Sequence, residues 1–176
     1  MEDPKYLPSH IANYLLWRAK KEGLTETMTP MKLIKLVYFC YAWYLTIYDK
    51  KLFSEQIEAW KHGPVIPSIY HEFKRFGSRH IENYSIDFNQ ETGAIFYPVV
   101  DTKDEETFRI LDVVWDIYKH KDGWALRCIT HEDSSPWKYA FEQGENKPLD
   151  DQKIIARASQ AIQRFAKELE SHGRIQ

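Results

Sequence analysis

The sequence predicts a mainly α fold, α+β only in a minor way. Helices surround one buried central helix over about residues 29–48, and a small antiparallel β element occupies about 55–60 and 84–100. Three observations lead there. From Leu36 to Tyr48 no face carries a charge, and a helix apolar all round is buried on several sides. Stretches on both sides of it repeat apolar residues every three or four positions behind recognisable helix starts. Period two, the mark of a half-buried strand, is confined to the neighbourhood of 84–100.

The first helix is expected from about Ser9 to Glu22, with Ser9 as its cap, Ile11, Leu15 and Ala19 on its apolar face, and Gly23 at its end. Thr29 caps the central helix and Pro30 takes its first position, where a missing N–H costs nothing. Between Glu55 and Pro64 the helical period is lost. A short strand through Ile57 to Trp60 followed by a turn at His62-Gly63-Pro64 fits that stretch. Pro67 opens a helix bearing Ile69, Tyr70, Phe73 and Phe76, which Gly77 closes.

Tyr84, Ile86 and Phe88, a loop with Asn89 and Gly93, then Ile95, Tyr97 and Val99 read as a hairpin, with Pro98 placing its second strand at an edge. Thr102 and Glu105 form a capping box for a helix through Phe108, Leu111, Trp115 and Tyr118. The acids Asp101, Asp104, Glu105 and Glu106 suit the positive end of that helix better than a metal site. Asp122 caps a short helix through Trp124, Leu126 and Ile129, and Ser135-Pro136 opens another that ends at Gly144. A last helix carries Ile154, Ala158, Ile162, Phe165 and Leu169.

The 176 residues are 43% hydrophobic and 15% aromatic, enough for the core of one domain and too much for a disordered chain. With 24 Lys and Arg against 26 Asp and Glu the net charge is −2, so no general field draws the protein onto polyphosphate. The longest uncharged stretch, Leu36 to Tyr48, has 13 residues, short of the roughly 20 that span a bilayer. Met1-Glu2-Asp3-Pro4 is unlike a secretory leader, and Cys40 and Cys128, set in apolar patterns, read as reduced core residues. The expectation is a cytoplasmic protein without a membrane partner.

No phosphate-binding glycine loop, nucleophile elbow or HExxH string is present. His131-Glu132-Asp133-Ser134-Ser135 contains every residue type of a hydrolase triad, but neighbours in sequence diverge in direction where a triad converges. His62, His71 and His80 do not share a helical face. No catalytic residue, metal ligand or cofactor is assigned. Lys74 to Arg79 holds three fixed cations, enough for weak, salt-sensitive phosphate contacts and not for specific nucleic-acid recognition. Six aromatics crowd the central helix between Tyr38 and Tyr48. Core packing explains most of them, and Tyr41, Trp43, Tyr44 and Tyr48 are candidates to surface as anchors for a protein partner.

Three strings resemble the signatures of the Panacea antitoxin domain family, which includes SocA-like antitoxins and many phage-associated proteins. The first is Met31-Lys32-Leu33-Ile34-Lys35-Leu36-Val37-Tyr38-Phe39. The second runs Glu58-Ala59-Trp60-Lys61-His62-Gly63-Pro64-Val65-Ile66-Pro67-Ser68-Ile69-Tyr70. The third is Gly123-Trp124-Ala125-Leu126 followed by Thr130-His131-Glu132 and Pro136-Trp137. The family's third signature often has one residue fewer between the Glu and the Pro.

The resemblance implies the antidote half of a toxin–antitoxin pair that binds its cognate toxin directly. Some relatives deliver the toxin to an ATP-dependent protease. A DNA-binding regulator and a metal-dependent hydrolase using His131 and Glu132 are the alternatives. Trp60, Gly63, Pro64 and Trp137 are expected to fix turns and fill core. Lys35 is expected to meet Glu132, with His131 bonding nearby backbone, and so dock the 123–137 corner onto the central helix.

Overall fold

In the computed structural model, which describes residues 4–173, the chain runs α1 (Pro8–Lys21), α2 (Pro30–Tyr48), β1 (Glu58–Trp60), β2 (Gly63–Val65) and α3 (Pro67–Phe73). It continues with β3 (Asp87–Phe88), β4 (Ile95–Phe96), α4 (Glu105–Tyr118), α5 (Gly123–Thr130), α6 (Pro136–Glu142), β5 (Lys147–Pro148) and α7 (Asp151–Gly173). The Met1-Glu2-Asp3 opening lies outside the described residues. No helix among them is long and apolar enough to cross a membrane.

α2 is the axis. Thr29 is extended and its hydroxyl accepts from the Lys32 N–H at 3.3 Å. At the other end Asp49 turns left-handed, at φ 53°, and its N–H closes the last turn on the Leu45 carbonyl. Every residue from Lys32 to Leu45 is buried, because α1, α4, α5, α7 and β2 pack around the helix on all sides. Leu33, Leu36, Val37 and Cys40 are wholly excluded from solvent, and each such side chain contributes roughly 1.5–3 kcal/mol by leaving water.

Several boundaries differ from the sequence expectation for physical reasons. α1 begins at Pro8 rather than after Ser9, since a proline is at no disadvantage in a first turn. The cap of α4 is Asp104, not Thr102: its carboxylate accepts from the Thr107 N–H at 3.1 Å and is held there by the Tyr6 hydroxyl at 2.9 Å. Asp122 and Ser135 cap α5 and α6 as expected. Cys40 is buried but Cys128 is exposed, because α5 turns Leu126 and Thr130 inward and so turns Cys128 out.

The β structure forms two sheets, not one element. The turn expected at His62-Gly63-Pro64 is shorter, at Lys61-His62, and Gly63-Pro64-Val65 returns as strand β2 against β1, with β5 on the other side in the order β2-β1-β5. Pro64 is tolerated because β2 is an edge strand. β3 and β4 pair only with each other, Phe88 opposite Ile95 and Asp87 opposite Phe96. Asn13 of α1 fastens the base of this hairpin. Its buried amide accepts from the Ser85 N–H at 2.8 Å and donates to the carbonyls of Ser85 at 2.9 Å and Pro98 at 3.0 Å.

Truncating that amide strands buried backbone groups. Asn13→Ala should cost about 2–4 kcal/mol in urea unfolding, with faster proteolysis inside 84–98. A loss below about 0.5 kcal/mol would show that the hairpin is held by other contacts.

Candidate functional site

The three signature segments converge on one corner, where the start of α2 meets the β1–β2 hairpin and the α5–α6 junction. Lys35 sits on the α2 face that looks at β2. It is 2% exposed, and its ammonium donates to the Pro64 carbonyl at 2.8 Å. Burial, reinforced by the Arg127 cation, lowers its pKa from the ordinary 10.5 to about 7. Gly63 makes the approach possible at φ +106°, because a Cβ there would lie 2.6 Å from Lys35 Nζ and 2.9 Å from Thr130 Oγ1.

Thr130 closes α5 by donating to the Arg127 carbonyl at 2.8 Å. The same carbonyl lies 2.8 Å from His131 Nδ1, so His131 bonds nearby backbone as expected. Burial pushes the His131 imidazole below its ordinary value, and the Arg127 carbonyl works the other way. The imidazole packs on Trp137 with ring centroids 3.8 Å apart, and Trp137 Nε1–H donates to the Trp60 carbonyl at 2.8 Å. Trp60 in turn donates to Glu58 at 2.7 Å and meets Tyr70 edge-on. Val65, Leu126, Pro136 and Trp137 are buried around these bonds, while Trp60 and Tyr70 are half-buried.

A second buried lysine anchors the other side of the corner. Lys32 donates to the Lys119 carbonyl at 2.6 Å and to Thr27 Oγ1 at 3.0 Å. Burial lowers its pKa, and Asp122 opposes the shift. Gly123 brings the N-terminus of α5 against α2 here, since a Cβ would stand 3.1 Å from the Lys32 backbone nitrogen.

The expected Lys35–Glu132 pair does not form. Glu132 lies past the end of α5 and pairs with Arg157 of α7, whereas Lys35 points at β2. Between Glu132 and Pro136 the chain turns left-handed at Ser134, φ 63°, and Ser135 then caps α6. Trp124 fills no core: it is 62% exposed, with the Arg127 guanidinium 4.7 Å from its ring.

The aromatics expected to surface on α2 mostly do not. Tyr41, Trp43 and Tyr44 are buried, as is Tyr38; Trp43 meets Phe165 of α7, and the Tyr41 hydroxyl donates to Asp151 at 3.0 Å. Tyr48 is partly exposed beside Tyr44. The apolar stripe of α7 needs a counterpart, and these rings supply it. Lys74, Arg75 and Arg79 are exposed, with Arg75 over its neighbour Phe76.

Among the described residues no three His, Cys, Asp or Glu side chains gather as a metal site would require. His131 faces Trp137 and a carbonyl, and Glu132 faces Arg157, so the hydrolase alternative has no converging pair. What the corner does is mechanical: most of its polar groups bond one another and fix β1–β2 and α5–α6 to α2, while Arg127 Nε and His131 Nε2 are buried there with no hydrogen-bond partner among the described residues. The surface that sequence reasoning missed is the outward side of β3–β4, where Ile86, Phe88, Ile95, Tyr97 and Val99 are each more than half exposed. Their period-two alternation was the available signal; it does not say which side faces water.

Residues 33–138 match the family model described as Antitoxin SocA-like, Panacea domain. Antitoxin SocA of Caulobacter vibrioides (strain NA1000 / CB15N) is 27% identical over 137 residues, covering 77% of this chain and 71% of that protein. No solved structure matches the chain significantly. The matched interval contains almost the whole corner, from Leu33 through Trp137.

The buried ammonium gives a pH test with a definite sign. Lys35 is depressed in the folded chain, so between about 7 and 10.5 the unfolded chain binds the extra proton and stability rises with pH. Wild type should therefore gain on Lys35→Met as urea unfolding is moved from pH 7 to pH 10, and a difference that ignores pH would refute the assignment. For the exposed partner pair, a double-mutant cycle on Glu132 and Arg157 should give a coupling of about 0.2–1 kcal/mol. The cycle on Glu132 and Lys35 should give none; coupling there would mean that the corner is wired differently.

Proposed function

The chain belongs to the SocA-like antitoxin family that carries the Panacea domain, and from this membership we propose that it neutralises a cognate protein toxin in the cytoplasm by binding it directly, with no chemistry of its own. The observation that carries the reading is how the signature residues are used. Lys35, Gly63, Thr130 and Trp137 are occupied with internal contacts, and His131 bonds the Arg127 carbonyl through Nδ1, leaving only its buried Nε2 unbonded among the described residues, which suits a scaffold that presents a surface better than an active site.

Binding proteins of this kind act by occlusion, so the outcome to measure is relief of toxicity together with a complex. The open reading frame beside this chain's gene, expressed alone, should arrest growth. Co-expression with this chain should restore growth, and the two proteins should elute together from a sizing column. Relief without a complex would overturn direct binding, and a fall in toxin abundance that depends on an ATP-dependent protease would make the chain an adaptor instead.

A further inference from the structure

The β3–β4 hairpin is mounted with its apolar side outward. Ile86, Phe88, Ile95, Tyr97 and Val99 are 53%, 56%, 68%, 60% and 70% exposed, whereas Ser85, Pro98 and Val100 are buried. The orientation is enforced, because the Asn13 amide holds the Ser85 and Pro98 backbone against α1. An antiparallel sheet ordinarily turns its apolar face to the core, and an apolar patch left in water marks a contact surface. Tyr97 and Val99 continue into a groove of about 540 Å³ that Trp17, Tyr84 and Phe108 also line. Among the described residues neither strand has a second neighbour, so both outer edges are open to an added strand.

Charge decides what fits. Residues 82–106 hold seven acids, from Glu82 to Glu106, and one cation, Lys103, so the segment carries 1 − 7 = −6 against −2 for the whole chain. Among the described residues only one of the seven, Asp104, has an ion-pair partner, Lys5 at 3.6 Å. An apolar face on a hairpin whose residues 82–100 include Glu82, Asp87 and Glu91 and no Lys or Arg repels nucleic acid, an anionic membrane and the same face of a second copy, and it attracts a basic chain. Resting on the antitoxin reading, we infer that the outward face of β3–β4 docks the toxin through a basic, extended segment in which cationic and apolar side chains alternate.

The probe is a fluorescein-labelled peptide of about ten residues alternating lysine and valine, with a glutamate–valine peptide as control. Anisotropy with the full chain should show binding of the lysine peptide alone, weakening about tenfold as salt rises from about 0.05 to about 0.3 M. Amide exchange over 86–99 should slow when it binds. Phe88→Ser with Ile95→Ser, and separately Glu82→Lys with Glu91→Lys, alter exposed residues and should keep the melting temperature. Each pair should lose peptide binding about tenfold or more, and each should lose relief of toxin-induced arrest. A peptide that fails to bind wild type, leaves 86–99 unprotected, or binds the variants equally overturns the inference. Variants that lose the peptide yet still relieve arrest place the toxin elsewhere and also overturn it, leaving the antitoxin reading intact. Failure of wild type to relieve arrest removes the antitoxin reading itself, and the toxin with it.

Discussion

An ammonium enclosed by protein must find an acceptor or lose its proton, and the folding of the corner turns on how Lys35 meets that demand. Its acceptor is the Pro64 carbonyl, a backbone atom on an edge strand. Reaching it requires β2 to lie directly against α2, which in turn requires residue 63 to lack a Cβ. Thr130 lies against the same space, so the end of α5 is fixed by the approach that seats the lysine. The β1–β2 hairpin then offers the Trp60 carbonyl to Trp137, and α6 is tied in. A carboxylate partner would have tolerated many geometries; a carbonyl within a strand tolerates few, and this makes the corner rigid.

That choice of acceptor also explains what could be read in the sequence and what could not. The burial of α2 was legible because Leu36 to Tyr48 offers no polar face, and Thr29, Asp122 and Ser135 announced their helices through side chains that bond the next turn. A side chain bonded to backbone leaves no complementary residue type to find, so Lys35 was matched to the one acid of the third signature, Glu132, which belongs to Arg157. β5 was missed because two residues carry no periodicity; it exists because the Asn146 and Leu149 N–H groups donate to the carbonyls of Ala59 and Ile57. The aromatic belt of α2 was read as a surplus because the length over which α7 would cover it depends on tertiary packing, not on local pattern.

The corner and the hairpin differ in how they are held. Around Lys35 most polar atoms bond internally and Leu33, Leu36 and Leu126 are wholly buried, so movement there would break many contacts at once. The hairpin has two strands of two residues each, tied at its base by one asparagine. Deforming it costs little, since few buried contacts are lost. Substitutions on the outward face of β3–β4 leave the packing of α2 untouched, whereas those at the buried signature residues do not.

Near-neutral total charge hides this division. The −6 carried by residues 82–106 leaves +4 for the rest of the chain, given a total of −2. Among the 23 Lys and Arg that make up that balance against 19 acids, Lys32 and Lys35 are buried at the start of α2 beside backbone oxygens. The acids between Glu82 and Glu106 are mostly in water and unpaired. Neutrality on average therefore coexists with a strongly negative stretch of sequence, which includes the hairpin whose apolar side chains stand out from the fold. A hairpin that carries Glu82, Asp87 and Glu91 and no Lys or Arg between residues 82 and 100 presents one sign to a partner although the chain as a whole is nearly neutral. Such a field acts before contact and sets orientation, leaving the apolar face to supply the lifetime of the complex.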